Sequence, residues 1–133
     1  MEKKSVIQVS TNFSKEKLKK VLEIEKKCFP QNWQYVGSEK YYQKMLKQKD
    51  NINIFAKNNK SLVGYLLAVP YSQVFKELKK YDKLIKEKKR TYYLETIGVI
   101  PDFRGQGLAE KMLIEMIREA RKRGVKNFSV HAR

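Results

Sequence analysis

Two hydrophobic periods alternate along this chain, and their order sketches the fold. Ser5 to Ser10 sets Val6, Ile7 and Val9 among polar neighbours and reads as a first strand. Thr11-Asn12 turns the chain, and Ser14 is placed to cap a helix running to about Lys27. Leu18, Val21, Leu22 and Glu25 lie at helical spacing there, with Cys28 and Phe29 closing the apolar face before Pro30 stops the helix. A loop from Gln31 to Gly37 carries Trp33 and Tyr35, after which Ser38 opens a second helix bearing Tyr41, Tyr42, Met45 and Leu46.

The middle of the chain switches to strands. Ile52, Ile54 and Ala56 alternate with polar residues, Asn58-Asn59-Lys60 supplies a turn, and Leu62 to Val69 returns apolar on both faces, as a central strand does. A helix from Ser72 to Lys89 is predicted next, with Val74, Phe75, Leu78, Tyr81 and Ile85 on one side and lysines on the other. Tyr92 to Val99 is a further strand, Gly107 to Arg123 a long amphipathic helix with Gly124 suited to its C-cap, and Phe128, Val130 and Ala132 alternate along a last strand. The order is β-α-α-β-β-α-β-α-β, an α/β domain without repeats or interdomain linkers.

At 133 residues and 41% hydrophobic content, one globular domain spanning 1–133 is expected. No apolar run reaches the length of a membrane span and no N-terminal segment resembles an export signal, so a cytoplasmic protein without a membrane partner is expected. The single cysteine, Cys28, and single histidine, His131, form no metal-ligand cluster, and no metal is expected. Cys28 reads as a small buried hydrophobe and His131 as structural or solvent-facing.

The net charge of +16 changes the picture of partners. Twenty-four of the 30 basic residues are Lys, and in sequence they are dispersed. Arginine is the residue of choice where phosphates or bases are read with fixed geometry, so nucleic acid is not the expected partner. A positive field would still draw in a polyanionic cofactor or an acidic substrate.

The chemistry is concentrated in Tyr92 to Ala109. An apolar strand stops at Pro101, a short loop carries Gly105 and Gly107, and a helix begins at once. Glycines ahead of a helix leave backbone N–H groups aimed outward at its positive end, where a phosphate can approach closely. Taken alone the segment is also an ordinary strand–turn–helix.

Arg104-Gly105-Gln106-Gly107-Leu108-Ala109, preceded by Val99-Ile100-Pro101-Asp102-Phe103, resembles motif A of the GNAT superfamily of N-acetyltransferases. The resemblance is clearest over 92–133. It implies the acyl-CoA N-acyltransferase fold, a mixed and mostly antiparallel central sheet flanked by helices, and acetyl-CoA as acyl donor to a primary amine. The pyrophosphate would accept from the N–H groups of Arg104, Gly105, Gln106, Gly107, Leu108 and Ala109. The pantetheine arm would pair with Ile97, Gly98 and Val99, and the amide of Ile97 or Val99 would be the oxyanion donor. Glu95 is the candidate general base. Pleating would place it, with Tyr93, on the face of Ile97 and Val99. Tyr93, Trp33 and Tyr35 are candidates to line the acceptor site. Glu25 to Pro30, followed by Trp33, is similar to bacterial acetyltransferases of ribosomal-protein N-termini.

Against that family the helix between the third and fourth strands is long. The chain also stops at Arg133, where the family continues with a further helix and two strands. A C-terminally truncated domain is therefore expected. A tyrosine general acid is not assignable, and self-association through the exposed sheet edge is expected. Two other readings remain open, a coenzyme-A-binding domain without turnover and a basic nucleic-acid-binding module.

Overall fold

The computed structural model describes residues 5–10, 13–28, 38–84, 86 and 90–130. The elements follow in the predicted order: β1 (Ser5–Ser10), α1 (Lys15–Cys28), α2 (Ser38–Lys47), β2 (Ile52–Asn58), β3 (Ser61–Pro70), α3 (Tyr71–Tyr81), β4 (Thr91–Val99), a 3-10 turn (Pro101–Phe103), α4 (Leu108–Lys122) and β5 (Asn127–Ser129). The strands form one sheet in the order β1-β2-β3-β4-β5. The first three pairings are antiparallel, and β4–β5 is parallel across α4.

Local chemistry sets several of these boundaries. The Lys17 amide donates to Ser14 Oγ at 3.1 Å, so Ser14 caps α1 as its side chain predicts. Asn59 turns the β2–β3 hairpin with φ of 58°, a left-handed angle that asparagine tolerates. Gly124 ends α4 at φ of 79°. The third helix is shorter than its apolar spacing implies. It stops at Tyr81 because Asp82 leaves the helical region, with φ of −138°, and its carboxylate accepts from the Leu84 amide at 3.0 Å. Ile85, expected on that helix, lies outside the described residues, as do Phe29, Pro30, Trp33, Tyr35, His131 and Ala132.

The sheet is buried on both sides. On one face Met112, Met116 and Ala120 of α4 pack on Ile52, Ile54, Leu66, Ala68 and Tyr92. On the other, Leu18, Val21 and Ile24 of α1 and Tyr42 and Leu46 of α2 pack on Phe55, Tyr65, Leu67 and Val69, with Val74, Phe75 and Leu78 of α3 beside them. β3 runs between two paired strands and is buried along most of its length, as its unbroken apolar run predicts. Ile24, absent from the predicted apolar face of α1, is buried, whereas Leu22 is half-buried.

A polar clamp ties the far end of α4 to the α2–β2 turn. Arg123 Nη1 donates to the carbonyls of Asp50 and Asn51, both at 3.2 Å, while its Nε donates to Glu119 Oε1, also at 3.2 Å. Tyr92 Oη donates to the Asp50 carbonyl at 2.5 Å and closes the same cluster.

Gly64, in the middle of β3, has little room for a side chain. A Cβ there would lie 3.1 Å from the Ala56 Cβ and 3.3 Å from the Gly98 carbonyl oxygen. Met112 Cε, also at 3.1 Å, is a flexible end that can shift, but the Ala56 Cβ and the Gly98 carbonyl cannot, so Gly64→Val is expected to lower stability by about 1–3 kcal/mol through overpacking. A urea titration followed by circular dichroism reads the shift in midpoint.

Candidate functional site

The site depends on the backbone of β4. The Ile100 amide donates to the Val63 carbonyl at 2.9 Å, and in an antiparallel ladder such pairs alternate. Gly98 and Thr96, opposite Tyr65 and Leu67, therefore also turn their backbone groups toward β3. Ile97 and Val99 turn theirs to the other edge. β5 covers that edge only beside Thr91, Tyr92 and Tyr93. Among the described residues no strand pairs with that edge beyond Tyr93.

An irregularity follows on β4. Leu67 pairs with Thr96 and Ala68 with Leu94, so Glu95 is an extra residue on β4. This bulge breaks the simple alternation expected along the strand. Tyr93 faces the α1–α3 side and packs against Tyr71 edge-on, with ring centroids 6.4 Å apart, whereas Ile97 and Val99 face α4. The shared face expected for Tyr93, Glu95, Ile97 and Val99 does not exist, because the inserted residue shifts the pleat by one. Glu95 is half-buried, and its charge acts on Tyr65 of the α1–α3 side. Burial drives the Tyr65 hydroxyl well above its ordinary range, with Tyr42 and the Glu95 charge adding to the rise. That hydroxyl donates to Asn53 Oδ1 at 2.6 Å.

Past β4 the loop folds back on the strand it leaves. The Phe103 and Arg104 amides donate to the carbonyls of Ile100 and Pro101, at 3.0 and 3.2 Å, forming the 3-10 turn. Arg104 Nε reaches the Val99 carbonyl at 2.9 Å and fastens the loop to the open edge. Gly105 and Gly107 follow at φ of 82° and 76°, angles that a β-branched residue adopts only under strain. A Cβ on either would meet nothing within 4 Å, so the space in front of the loop is open. Gly107 is the N-cap of α4, and the N–H groups of Leu108, Ala109 and Glu110 occupy the first turn, which lacks intrahelical acceptors.

These parts enclose one cavity of about 530 Å³. Its walls include Ile97, Gly98, Val99, Arg104, Gly105, Gly107, Leu108 and Ala109, all predicted site residues, together with Cys28, Phe103 and Glu110. Gln106 is exposed and outside the wall, and Tyr93 is a packed core residue. Glu95 stands further back along β4 and does not line the cavity.

Cys28 is the residue that sequence reasoning placed elsewhere. It is half-buried at the end of α1, and a Cβ on Gly98 would come within 3.1 Å of its Sγ. Gly98 thus allows α1 to approach the strand, and a glycine inside a strand was the signal for such an approach. Burial raises the pKa of the Cys28 thiol, while a hydrogen bond from Arg104 and the charges of Arg104 and Lys27 oppose that rise. Among the described residues no three His, Cys, Asp or Glu side chains gather as metal ligands would, and no helix is long and apolar enough to cross a membrane.

The sequence profile of the acetyltransferase (GNAT) family matches residues 18–133, and the chain belongs to that family. Its fold is shared with solved N-acetyltransferases. The ribosomal-protein-S18-alanine N-acetyltransferase from Escherichia coli superposes with a TM-score of 0.69 at 18% identity, over 98% of this chain and 68% of that one. The aminoglycoside N-acetyltransferase AAC(6')-Iy, solved in complex with CoA, gives 0.73 at 16% identity, over 100% and 80%. The 6'-N-acetyltransferase AAC(6')-Ih from Acinetobacter baumannii gives 0.72 at 17% identity, over 98% and 80%. No curated protein sequence matches the chain.

A thiol raised in pKa by burial holds less thiolate at any given pH, and the thiolate is the reactive form. Alkylation of Cys28 by iodoacetamide at pH 7.5 is therefore expected to be slower in the folded protein than in the urea-unfolded chain. The midpoint of its pH–rate profile should lie above the ordinary thiol value. Mass spectrometry of quenched samples reads both.

Proposed function

We propose that this protein is an acetyl-CoA-dependent N-acetyltransferase that acetylates a primary amine. The observation that carries the reading is the cavity. It joins the open backbone edge of Ile97 and Val99 to a glycine-opened helix N-terminus, the shape a long thioester with a pyrophosphate requires. Family membership and the fold shared with N-acetyltransferases support it.

Acetyl-CoA fits this chain's residues at both ends. Gly105 and Gly107 leave room for phosphate oxygens, and the first-turn amides of α4 would donate to them, aided by the helix dipole. The outward N–H and C=O groups of Ile97 and Val99 would hold the amide-bearing arm as a strand is held. Arg104 secures the Val99 carbonyl, so on Val99 the free group is the N–H.

When bound, acetyl-CoA supplies an activated acyl carbon and a thiolate leaving group. The amide N–H of Ile97 or Val99 would stabilise the negative oxygen that develops as the amine attacks. Glu95, the extra residue of the β4 bulge, stands back from the cavity and would take a proton from the incoming ammonium through a water.

Two substitutions test this reading. Gly107→Val places a β-branched residue at a left-handed angle, yet its Cβ meets no protein atom, so the domain should stay folded. Coenzyme A binding, measured by calorimetry, should weaken by about 1.5–3 kcal/mol as charge-assisted bonds are lost or misaligned. Unchanged affinity in the folded variant would remove the cofactor from this loop.

Glu95→Gln should leave coenzyme A affinity intact while slowing acetyl transfer by about 10²–10⁴-fold. The deficit should shrink as pH rises, because more of the amine is then already neutral. Loss of folding, or an unaltered rate, would make the carboxylate structural.

A further inference from the structure

The positive charge that is dispersed in the sequence is segregated in the fold. α1, α2 and α3 cover one face of the sheet and α4 covers the other. The three helices carry twelve lysines against five glutamates, whereas α4 carries four basic residues against three acidic ones. Ten of the twelve lysines are exposed, but three of the five glutamates. Glu25 is buried, and Glu23 is half-buried, 4.0 Å from Lys20. Ion pairs occur on both sides: Glu77 pairs with Lys80 at 3.3 Å on α3, while Glu115 pairs with Arg118 at 2.8 Å and Glu119 with Arg123, just past α4, at 3.2 Å.

The basic layer also reaches the candidate site. Lys26 and Lys27 are exposed on the last turn of α1, directly before Cys28, which lines the cavity. A ligand lying over the three helices therefore has one end at the cavity rim. Its field favours an anionic partner there and opposes a polycation.

The side chains choose between kinds of polyanion. α1, α2 and α3 contain no arginine. Lysine offers a mobile point charge and not the bidentate fork with which phosphodiesters and bases are gripped. Among the described side chains of α2 and α3, the aromatic residues Tyr41, Tyr42, Tyr71 and Phe75 pack with the core beneath and form no outward stacking platform. A flexible chain of carboxylates needs neither device.

We propose that the outer surface of α1, α2 and α3 binds an acidic polypeptide segment, and that this segment carries the amine to be acetylated. The part naming the acceptor rests on the acetyltransferase reading. The surface itself does not. The acceptor would then be a protein or peptide amine flanked by Asp or Glu, and a polycationic small amine would be a poor substrate.

The test uses the full chain and three fluorescent peptides that share a free N-terminus, followed by six glutamates, six glutamines or six lysines. At 50 mM NaCl the glutamate peptide should bind at least ~10-fold more tightly than the glutamine peptide, and the gap should close at 500 mM as the charges are screened. The variant Lys19→Glu/Lys76→Glu/Lys79→Glu alters only exposed positions away from the cavity. It should abolish the preference while leaving coenzyme A affinity unchanged. In acetyl transfer the preference should appear in KM and not in kcat.

Equal affinity for the three peptides, a preference for the lysine peptide, or a preference that survives the charge reversals would overturn the proposal. So would an RNA oligonucleotide that binds through the same lysines more tightly than the glutamate peptide. Failure to bind coenzyme A, with acidic-peptide binding intact, would refute the acetyltransferase reading and leave the binding surface standing. Coenzyme A binding without peptide selectivity would do the reverse.

Discussion

Everything at this site depends on one strand that is both held and left open. β4 is anchored along one edge by β3, yet among the described residues no strand lies beside its other edge beyond Tyr93. Backbone donors and acceptors withheld from a ladder carry a large desolvation cost if they are also withheld from water. They persist at low cost only beside solvent or a ligand. The edge of β4 that carries Ile97 and Val99 has that setting beside the cavity, and the bulge at Glu95 lies between it and the stretch paired with β5.

The surrounding structure props this strand from both sides. α1 presses Ile24 and Cys28 against Gly98, and α4 sets Leu108 and Met112 in the core cluster that holds Val99. Gly64 allows Met112, Ala56 and the Gly98 carbonyl to meet in one place. Glycines here act in two ways. Gly64 and Gly98 permit close packing under the strand, whereas Gly105 and Gly107 supply backbone angles and leave space above the loop. The first pair serves stability and the second serves access.

Charge is layered over this scaffold with the same asymmetry as the helices. The compensated surface of α4 faces away from the lysine-rich surface of α1, α2 and α3, and the cavity lies where the two layers meet at β4. Acetyl transfer needs a polyanionic donor and an amine side by side. On the proposed function, a positive field on the helical face would draw in the first and sort candidates for the second.

The sequence determined the element order, the central place of β3 and the glycine loop, because each has a local cause. Period-2 and helical spacings, Ser14 at a cap and Asn59 in a hairpin act within a few residues of themselves. Eight of the cavity-lining residues, from Ile97 to Ala109, were legible for that reason: the strand, loop and helix start that bear them are contiguous. What the sequence could not show is set by partners distant along the chain. The bulge at Glu95 is a mismatch of register between β3 and β4, and no residue type announces it. Cys28 joins the cavity because α1 crosses a glycine that follows it by seventy positions. The division of charge between two faces appears only once the helices are assigned to sides of the sheet. Tertiary packing made those choices, since they turn on which surfaces meet and not on what any one segment prefers.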